Sequence, residues 1–305
     1  MAPRARAQAA PAVGLRRRAL VALPLCLPWA LRAADAGAPV RLQVAVSILP
    51  QKQFVERIGG DAVDVMVLVR PGQSPHSYEP TPQQMVSLAR ADVYFYIGVD
   101  FERAWLPKIQ QMHPRLRTVD TREGIRMLAM VPSPHEHPLR ASGARPDPHI
   151  WTSPPLVKRQ AETIRDALIE LRPTERVRFE AGYARHAAEL EQLDAELRRA
   201  VAGKARRRFL VFHPAWGYLA DSYGLEQIPI ELRGKEPGPQ ALAAQIERAR
   251  AEGIRVIFVQ PQFSRTASEA MARAIDGEVV ALDPLAEDFV ANTRVVAQSL
   301  ARALQ

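Results

Sequence analysis

From residue 42 onward, the hydrophobic and polar positions follow two alternating patterns. Short runs of apolar and β-branched residues, typical of buried strands, are followed by longer stretches with apolar positions three or four residues apart, typical of amphipathic helices. The predicted strands cover residues 42–48, 63–69, 93–97, 116–119, 209–212, 228–232, 254–259 and 279–282. The predicted helices of these regions cover residues 50–58, 82–90, 216–223, 239–251, 266–275 and 286–304. This alternation predicts an α/β fold in which helices cover parallel sheets.

A different pattern separates the two halves. Residues 154–171 predict one helix, and residues 174–201 predict a longer one with Thr174 as its N-cap and Gly203 just past its end. One apolar stripe runs along the longer helix, formed by Phe179, Tyr183, His186, Leu190, Leu193 and Leu197. At 1.5 Å per residue this helix would be about 42 Å long, enough to brace two lobes and limit hinge closure.

These patterns divide the chain into four parts. We expect a leader over residues 1–36, an N-terminal lobe over 37–172, a linking helix over 173–203 and a C-terminal lobe over 204–305. A short echo relates the lobes, because a Glu-Pro-x-Pro-Gln segment opens a predicted helix in each, at residues 79–83 and 236–240. The echo favours duplication of one β/α plan.

The leader has the organisation of an export signal. Three arginines at 16–18 precede an apolar run over residues 19–31, and Ala-Asp-Ala at 34–36 matches an A-x-A cleavage site. We therefore predict a cleaved signal peptide and a periplasmic location. Two variants remain open: a twin-arginine signal, and a lipid on Cys26, which the large Leu25 before it disfavours.

Composition and charge restrict the function classes. The chain has 305 residues, 47% of them hydrophobic, and a formal net charge of +8. Setting aside the leader, with its six arginines and one aspartate, leaves 35 basic and 32 acidic residues. This small, scattered excess argues against nucleic-acid binding, and the one tight cluster, residues 206–208, reads as a basic turn before a strand. Because Cys26 is the sole cysteine, a metal site in the mature chain must use nitrogen and oxygen donors.

Four potential metal ligands lie where open α/β sheets bind ligands, at strand carboxyl ends or in loops on that side. His76 follows the second predicted strand, His149 precedes the central helices, His213 ends a strand and Asp283 ends the last one. A lone histidine at a strand end is commonly structural, and Asp283 before a proline also suits a turn cap. Together, however, two candidates from each lobe predict a metal in the interlobe cleft, and three imidazoles with one carboxylate suit four-coordinate zinc.

Five segments give the chain a resemblance to the metal-ion solute-binding proteins of zinc/manganese ABC importers, running from about residue 42 to the C-terminus. They are residues 75–80 (PHSYEP), 147–151 (DPHIW), 212–218 (FHPAWGY), 259–263 (VQPQF) and 282–285 (LDPL). The resemblance implies two β/α lobes joined by a long rigid helix, with the metal between them. It also implies ligands at His76, His149, His213 and Asp283, and a monomer that delivers its metal to a membrane permease.

The resemblance also bears on the metal. A histidine at the position of His213 implies zinc, whereas glutamate there would imply manganese. Zinc-importing members often carry a long histidine-rich acidic loop before the second ligand, and this chain has only His135-Glu136-His137 there. Manganese and ferrous iron therefore remain alternatives to zinc.

Two rival functions were weighed against metal transport. A zinc metallohydrolase would need a general base beside an open coordination position. Glu79 and Glu231 are the acids nominated for that role, and neither lies in a catalytic motif. The other rival is an adhesin or a binder of an organic solute, because a fold alone does not define a function. We therefore expect a metal-binding transport protein and not an enzyme.

Overall fold

The N-terminal lobe is built on a four-stranded parallel sheet in the computed structural model, which describes residues 41–130, 145–231, 236–263 and 265–305. The predicted leader and the histidines at 135 and 137 lie outside these residues. The strands pair in the order β2-β1-β3-β4. They are β1 (Leu42–Val46), β2 (Val63–Val67), β3 (Val93–Tyr96) and β4 (Arg117–Asp120). The helices of this lobe are α1 (Leu49–Gly59), α2 (Pro82–Leu88) and α3 (Asp100–Met112).

Two helices connect the lobes. These are α4 (Pro154–Leu171) and α5 (Arg176–Val201). The apolar stripe predicted on α5 is buried apart from Tyr183, which is half-buried. Gly182 permits a close approach to α1, because a Cβ there would lie 2.2 Å from the carbonyl oxygen of Ile58. The 26 residues of α5 extend about 39 Å.

The C-terminal lobe repeats the plan with strand order β6-β5-β7-β8, again parallel. Its strands are β5 (Arg208–Val211), β6 (Glu226–Pro229), β7 (Val256–Val259) and β8 (Glu278–Ala281). Its helices are α6 (Gly217–Ser222), α7 (Pro239–Ala251), α8 (Thr266–Ala274) and α9 (Phe289–Ala303). The shared strand order supports the duplication inferred from the sequence echo.

Burial on both faces explains why β5 is continuously apolar after its exposed first residue, Arg208. Phe209 and Val211 face one hydrophobic cluster with α6 and α9, while Leu210 faces a second cluster with α7 and α8. Successive side chains of a strand point to opposite faces, so a sheet covered on both sides needs apolar residues at every position. The predicted α/β fold with parallel sheets is confirmed, and the lobe boundaries stay predictions.

Most predicted elements lie within three residues of the observed bounds at each end. The exception is α3, since no element was predicted between the strands β3 and β4. Pro107 lies inside this helix, and a proline within a periodic segment normally predicts a break. Helix α3 forms despite it, with Phe101, Glu102 and Ile109 buried against the lobe. This missed helix contributes directly to the site described below.

The basic cluster at 206–208 is exposed, but its guanidinium groups contact protein acceptors. Arg207 donates to the carbonyl oxygens of Gly224, Tyr223 and Val201, at 2.9, 2.5 and 3.1 Å. Arg208 is paired with two glutamates, and Arg206 with the carbonyl oxygen of Gln305. Arg207 therefore joins the end of α5 to the C-terminal lobe. Among the described residues, none of the helices has the length and apolar character required to cross a membrane.

Candidate metal centre

Three histidines from separate parts of the chain meet at the carboxyl ends of the two sheets. His76 lies in the loop between β2 and α2, His149 precedes α4, and His213 follows β5. The Nε2 atom of His213 is 3.0 Å from Nε2 of His76 and 3.3 Å from Nε2 of His149. In tetrahedral zinc sites with Zn–N bonds of about 2.0–2.1 Å, neighbouring nitrogens are about 3.3 Å apart. The spacing of these rings therefore matches nitrogen donors around one zinc ion.

Each of these rings contacts a carboxylate through its other nitrogen. The Nδ1 atom of His76 is 2.7 Å from Asp100, and that of His149 is 2.6 Å from Asp147. The Nδ1 atom of His213 is 2.8 Å from Glu231. An ionised carboxylate only accepts, so each Nδ1 carries a proton, and in the neutral form of each ring the lone pair of Nε2 is then directed at the other two rings.

Three converging lone pairs repel one another unless a cation lies between them. Carboxylate–histidine pairs of this kind orient metal-binding imidazoles and increase their basicity. The donor set therefore fits a metal ion on the chemistry of its own atoms. Among the residues that the structure describes, these three histidines form the single group with metal-ligand spacing, all within 4.8 Å of one another.

Two of the three histidine side chains are buried, and the third is partly exposed. The side chain of His76 is 23% exposed, compared with 3% for His149 and 7% for His213. Burial lowers the pKa of His213 to about 4, an effect reinforced by the two other rings and opposed by Glu231. His213 is therefore neutral at pH 7, which is the protonation state that a metal ligand requires.

The cavity between the histidines is small. Its volume is about 20 Å³, close to what one water molecule or one monatomic ion needs. Its walls are largely apolar and include Pro75, Trp151, Ala215, Phe263 and Leu285. A cavity of this size and lining suits a desolvated ion and leaves no room for an organic solute.

Contacts between the two lobes hold this cavity together. Trp151 donates from Nε1 to the carbonyl oxygen of Pro284 at 2.7 Å. The hydroxyl of Tyr218, on α6, donates to the carbonyl oxygen of Asp147 at 2.8 Å and accepts from the amide of Leu128 at 2.9 Å. A residue of the C-terminal lobe thus fixes the backbone beside His149. Burial raises the pKa of Tyr218 to about 12, so the hydroxyl remains protonated and can donate.

The fourth predicted ligand, Asp283, lies outside the histidine group. Its Oδ1 atom accepts from the side-chain amide of Gln262 and from the backbone amide of Leu285, both at 2.9 Å. The carboxylate lines a neighbouring cavity of about 210 Å³. Gln262 and Leu285 line both this cavity and that of the histidines. The contact with Leu285 is the turn cap weighed above, and ligation by Asp283 stays a prediction.

The sequence interpretation did not assign the three carboxylates that hold the rings. Asp147 lies two residues before His149, and this spacing was a usable signal. Asp100 begins the missed helix α3, so nothing indicated its position. Glu231 was nominated as a hydrolase base, but its carboxylate contacts Nδ1 of His213. Glu79, the other nominated base, is exposed.

Two β/α lobes with converging imidazoles define a metal-binding protein of the two-lobed solute-binding class. The family model described as zinc-uptake complex component A, periplasmic (ZnuA), matches residues 44–303. The chain belongs to this family. It is a component of zinc uptake, with zinc as its ligand, and the prediction of a zinc-capturing solute-binding protein is confirmed.

Relatives and solved structures agree with this membership. The chain is 30% identical over 264 residues to a putative metal-binding protein of Chlamydia muridarum, covering 86% of this chain and 92% of that protein. It is 28% identical over 253 residues to the high-affinity zinc uptake system protein ZnuA of Bacillus subtilis, covering 80% and 79%. A crystal structure of ZnuA is 43% identical with a TM-score of 0.81, and covers 87% of this chain and 100% of its own. A zinc-bound ZnuA deletion mutant is 44% identical with a TM-score of 0.80, over 87% and 99%.

Proposed function

We propose that this chain captures one zinc ion through His76, His149 and His213 and delivers it to the membrane permease of an ABC importer. The convergence of three Nε2 atoms at zinc-like spacing carries the proposal. Asp283 is the proposed fourth ligand, reached by a change in its side-chain rotamer that releases Gln262. Water is the alternative donor at that position.

The donor set favours zinc over the other metals considered. Imidazole nitrogen suits zinc, whereas manganese prefers carboxylate, carbonyl and water oxygens. The carboxylates nearest the centre contact Nδ1 atoms of the histidines and hold the rings. A site rich in nitrogen donors therefore supports zinc as the cargo.

A transport role fits the cavity better than catalysis. About 20 Å³ holds an ion but no substrate beside it. Glu231, the buried acid nearest to His213, is engaged with Nδ1 of that ring. The protein is accordingly proposed to bind its metal reversibly and to catalyse no reaction.

The proposed route places the protein in the periplasm as a monomer. The signal peptide predicted over residues 1–36 would be removed to leave a chain beginning near Gly37. N-terminal sequencing of the exported protein should find Gly37 or a close neighbour. An exported chain that retains Met1 would contradict this part of the proposal.

The deciding experiment is native mass spectrometry of the mature chain, purified metal-free and then titrated with zinc. We expect one zinc ion per monomer, and retention of zinc against an excess of manganese. His149→Ala should lose the bound ion, while His186→Ala, matched in residue type but located on α5 in the linking region, should keep it. A wild-type chain that takes up no zinc, or that prefers manganese, would refute the assignment.

A further inference from the structure

A buried carboxylate in the N-terminal lobe does not contact the metal centre. Glu102, in the first turn of α3, is 2% exposed. Burial raises its pKa to about 7, even though hydrogen bonds from its neighbours act in the opposite direction. Burying an acid is costly unless donors compensate it, so its partners indicate what it does.

The partners of Glu102 are the ends of the central strands. Its carboxylate accepts from the Ser47 hydroxyl, from the backbone amide of Ile97 at 3.1 and 3.3 Å, and from the amide of Gly98. Ser47 follows β1, and Ile97 and Gly98 follow β3. The hydroxyl of Ser47 is also 2.7 Å from that of Tyr94. Glu102 therefore fastens the first turn of α3 to the carboxyl edge of the sheet.

The tight connection between β3 and α3 requires a glycine. Gly98 has a φ of +88°, and a Cβ there would lie 2.3 Å from the guanidinium of Arg122. A side chain at this position would strain the backbone, because L residues rarely adopt so positive a φ, and it would also displace the guanidinium of Arg122. The backbone amide that Gly98 presents to Glu102 depends on this conformation.

The same turn of α3 holds the loop that carries His76. Asp100 contacts Nδ1 of His76 at 2.7 Å. The amide of Phe101 donates to the carbonyl oxygen of Pro75 at 3.4 Å, and its ring packs edge-on against Tyr78 with centroids 4.8 Å apart. Three contacts thus join the residues before Glu102 to the loop, on both sides of His76.

We propose that Glu102 is a positioning residue for metal capture, which holds the first turn of α3 so that Asp100 and Phe101 fix His76 in its ligating orientation. This inference rests on the proposed function, in which His76 binds zinc. Glu102 itself does not touch the metal. Its action passes through Asp100 and Phe101, and that dependence distinguishes it from a residue that only stabilises the lobe.

A double-mutant cycle tests this dependence. Glu102→Gln keeps the shape but presents an amide to backbone donors, so the turn should loosen. We expect a 10–100-fold rise in the zinc dissociation constant, the range seen when support for a metal ligand is lost. Asp100→Asn should act similarly. The double variant should bind zinc about as tightly as the weaker-binding of the two single variants, because both changes remove the same support for His76.

Ile109→Val is the control for simple destabilisation, since it thins the packing of the same helix away from the loop. The comparison is valid when the metal-free Ile109→Val and Glu102→Gln proteins have similar melting temperatures. Ile109→Val should then keep a zinc affinity within about twofold of the wild type. If Glu102→Gln does not fold, Ser47→Ala removes one donor to Glu102 and should weaken zinc binding in the same direction. NMR signals of the His76 ring should shift or broaden in the variants, while those of His149 stay in place.

The outcomes separate this inference from the proposed function. Wild-type zinc affinity in Glu102→Gln, multiplicative losses in the double variant, or an equal loss in Ile109→Val would each overturn the positioning role. A wild-type chain that binds no zinc, or that keeps full affinity in His76→Ala, would instead refute the proposed site. The expected pattern supports both.

Discussion

The two lobes share one strand order but hold their metal-facing histidines differently. His213 lies two residues beyond the end of β5. Its backbone amide donates to the side-chain oxygen of Gln260 at 3.3 Å, and its carbonyl oxygen accepts from the side-chain nitrogen of Gln260 at 2.7 Å. The ring of Phe263 stacks on it with a centroid distance of 5.1 Å. The backbone and the ring of His213 are held by residues that follow β6 and β7, so its position is determined by the C-terminal lobe.

His76 lies nine residues beyond the end of β2, in a loop that contains several prolines. Its partner Asp100 is 32% exposed, whereas Glu231, the partner of His213, is 6% exposed. His213 is therefore preorganised by burial, whereas His76 is held from outside by α3. A duplicated fold can therefore supply one ligand fixed by its own lobe and one that depends on a neighbouring helix.

The largest expected effect is the loss of zinc stabilisation when a buried histidine ligand is removed. Zinc at about 100 times its dissociation constant should stabilise the wild-type fold by about 2.7 kcal/mol, because it binds only the native state. His213→Ala and His149→Ala should abolish this gain, and His76→Ala should reduce it strongly. Thermal melts with and without zinc measure the gain directly. Retention of the full gain in His213→Ala, or its loss in His186→Ala, would contradict the assigned centre.

The pH dependence of the stability of the metal-free protein should also report on the burial of His213. The folded-state pKa of His213 is about 4, and that of an exposed histidine is about 6.5. As the pH falls below about 6.5, His213 becomes protonated in the unfolded chain but stays neutral in the folded chain. The free energy of unfolding therefore decreases until about pH 4, where the folded chain also takes up the proton.

Between pH 7.5 and 4.5 this loss should be about 2–3 kcal/mol for His213 alone. Urea unfolding of the metal-free wild type and of His213→Ala measures it as the difference between their pH slopes. Acid-sensitive groups that do not contact His213, including buried His186, are common to both proteins and cancel. Equal slopes would show that His213 titrates normally.

Removing the carboxylate partners of the histidines should have a smaller effect on zinc binding. Glu231→Gln and Asp100→Asn should each weaken zinc binding about 10–100-fold, because each releases a ring from its orientation and lowers its basicity. We expect the greater loss for Glu231→Gln, since its contact with His213 is buried. Zinc titrations in competition with a chelator provide the two constants. The reverse order would mean that the loop side limits affinity.

The smallest effect is expected at Asp283. Asp283→Asn keeps an oxygen donor and removes the negative charge, so binding should survive with a loss of about tenfold or less. Calorimetric titration of wild type and variant measures the loss. Asp92→Asn is a matched control away from the site, at an exposed position directly before β3. Identical affinity of Asp283→Asn and wild type would leave Asp283 as the turn cap of Leu285.

The apolar periodicity of the sequence was sufficient to predict the parallel sheets and the linking helix. Strands covered on two faces need continuous apolar runs, and a helix between layers needs one stripe, so both leave patterns that are local in the sequence. The positions of His76, His149 and His213 were predicted in the same way, because ligands in open α/β sheets lie beyond strand carboxyl ends.

The contacts around the rings were decided only by the tertiary structure. Asp100 pairs with His76 because α3 forms across Pro107, and no local pattern records that packing. Glu231 and His213 are 18 residues apart in sequence, and they pair because β5 and β6 are neighbours in the sheet. Whether a carboxylate holds a ring, caps a turn or binds a metal depends on which distant atoms surround it. The sequence therefore determined which residue types were present at the cleft, and the packing of the two lobes determined the orientation of each imidazole.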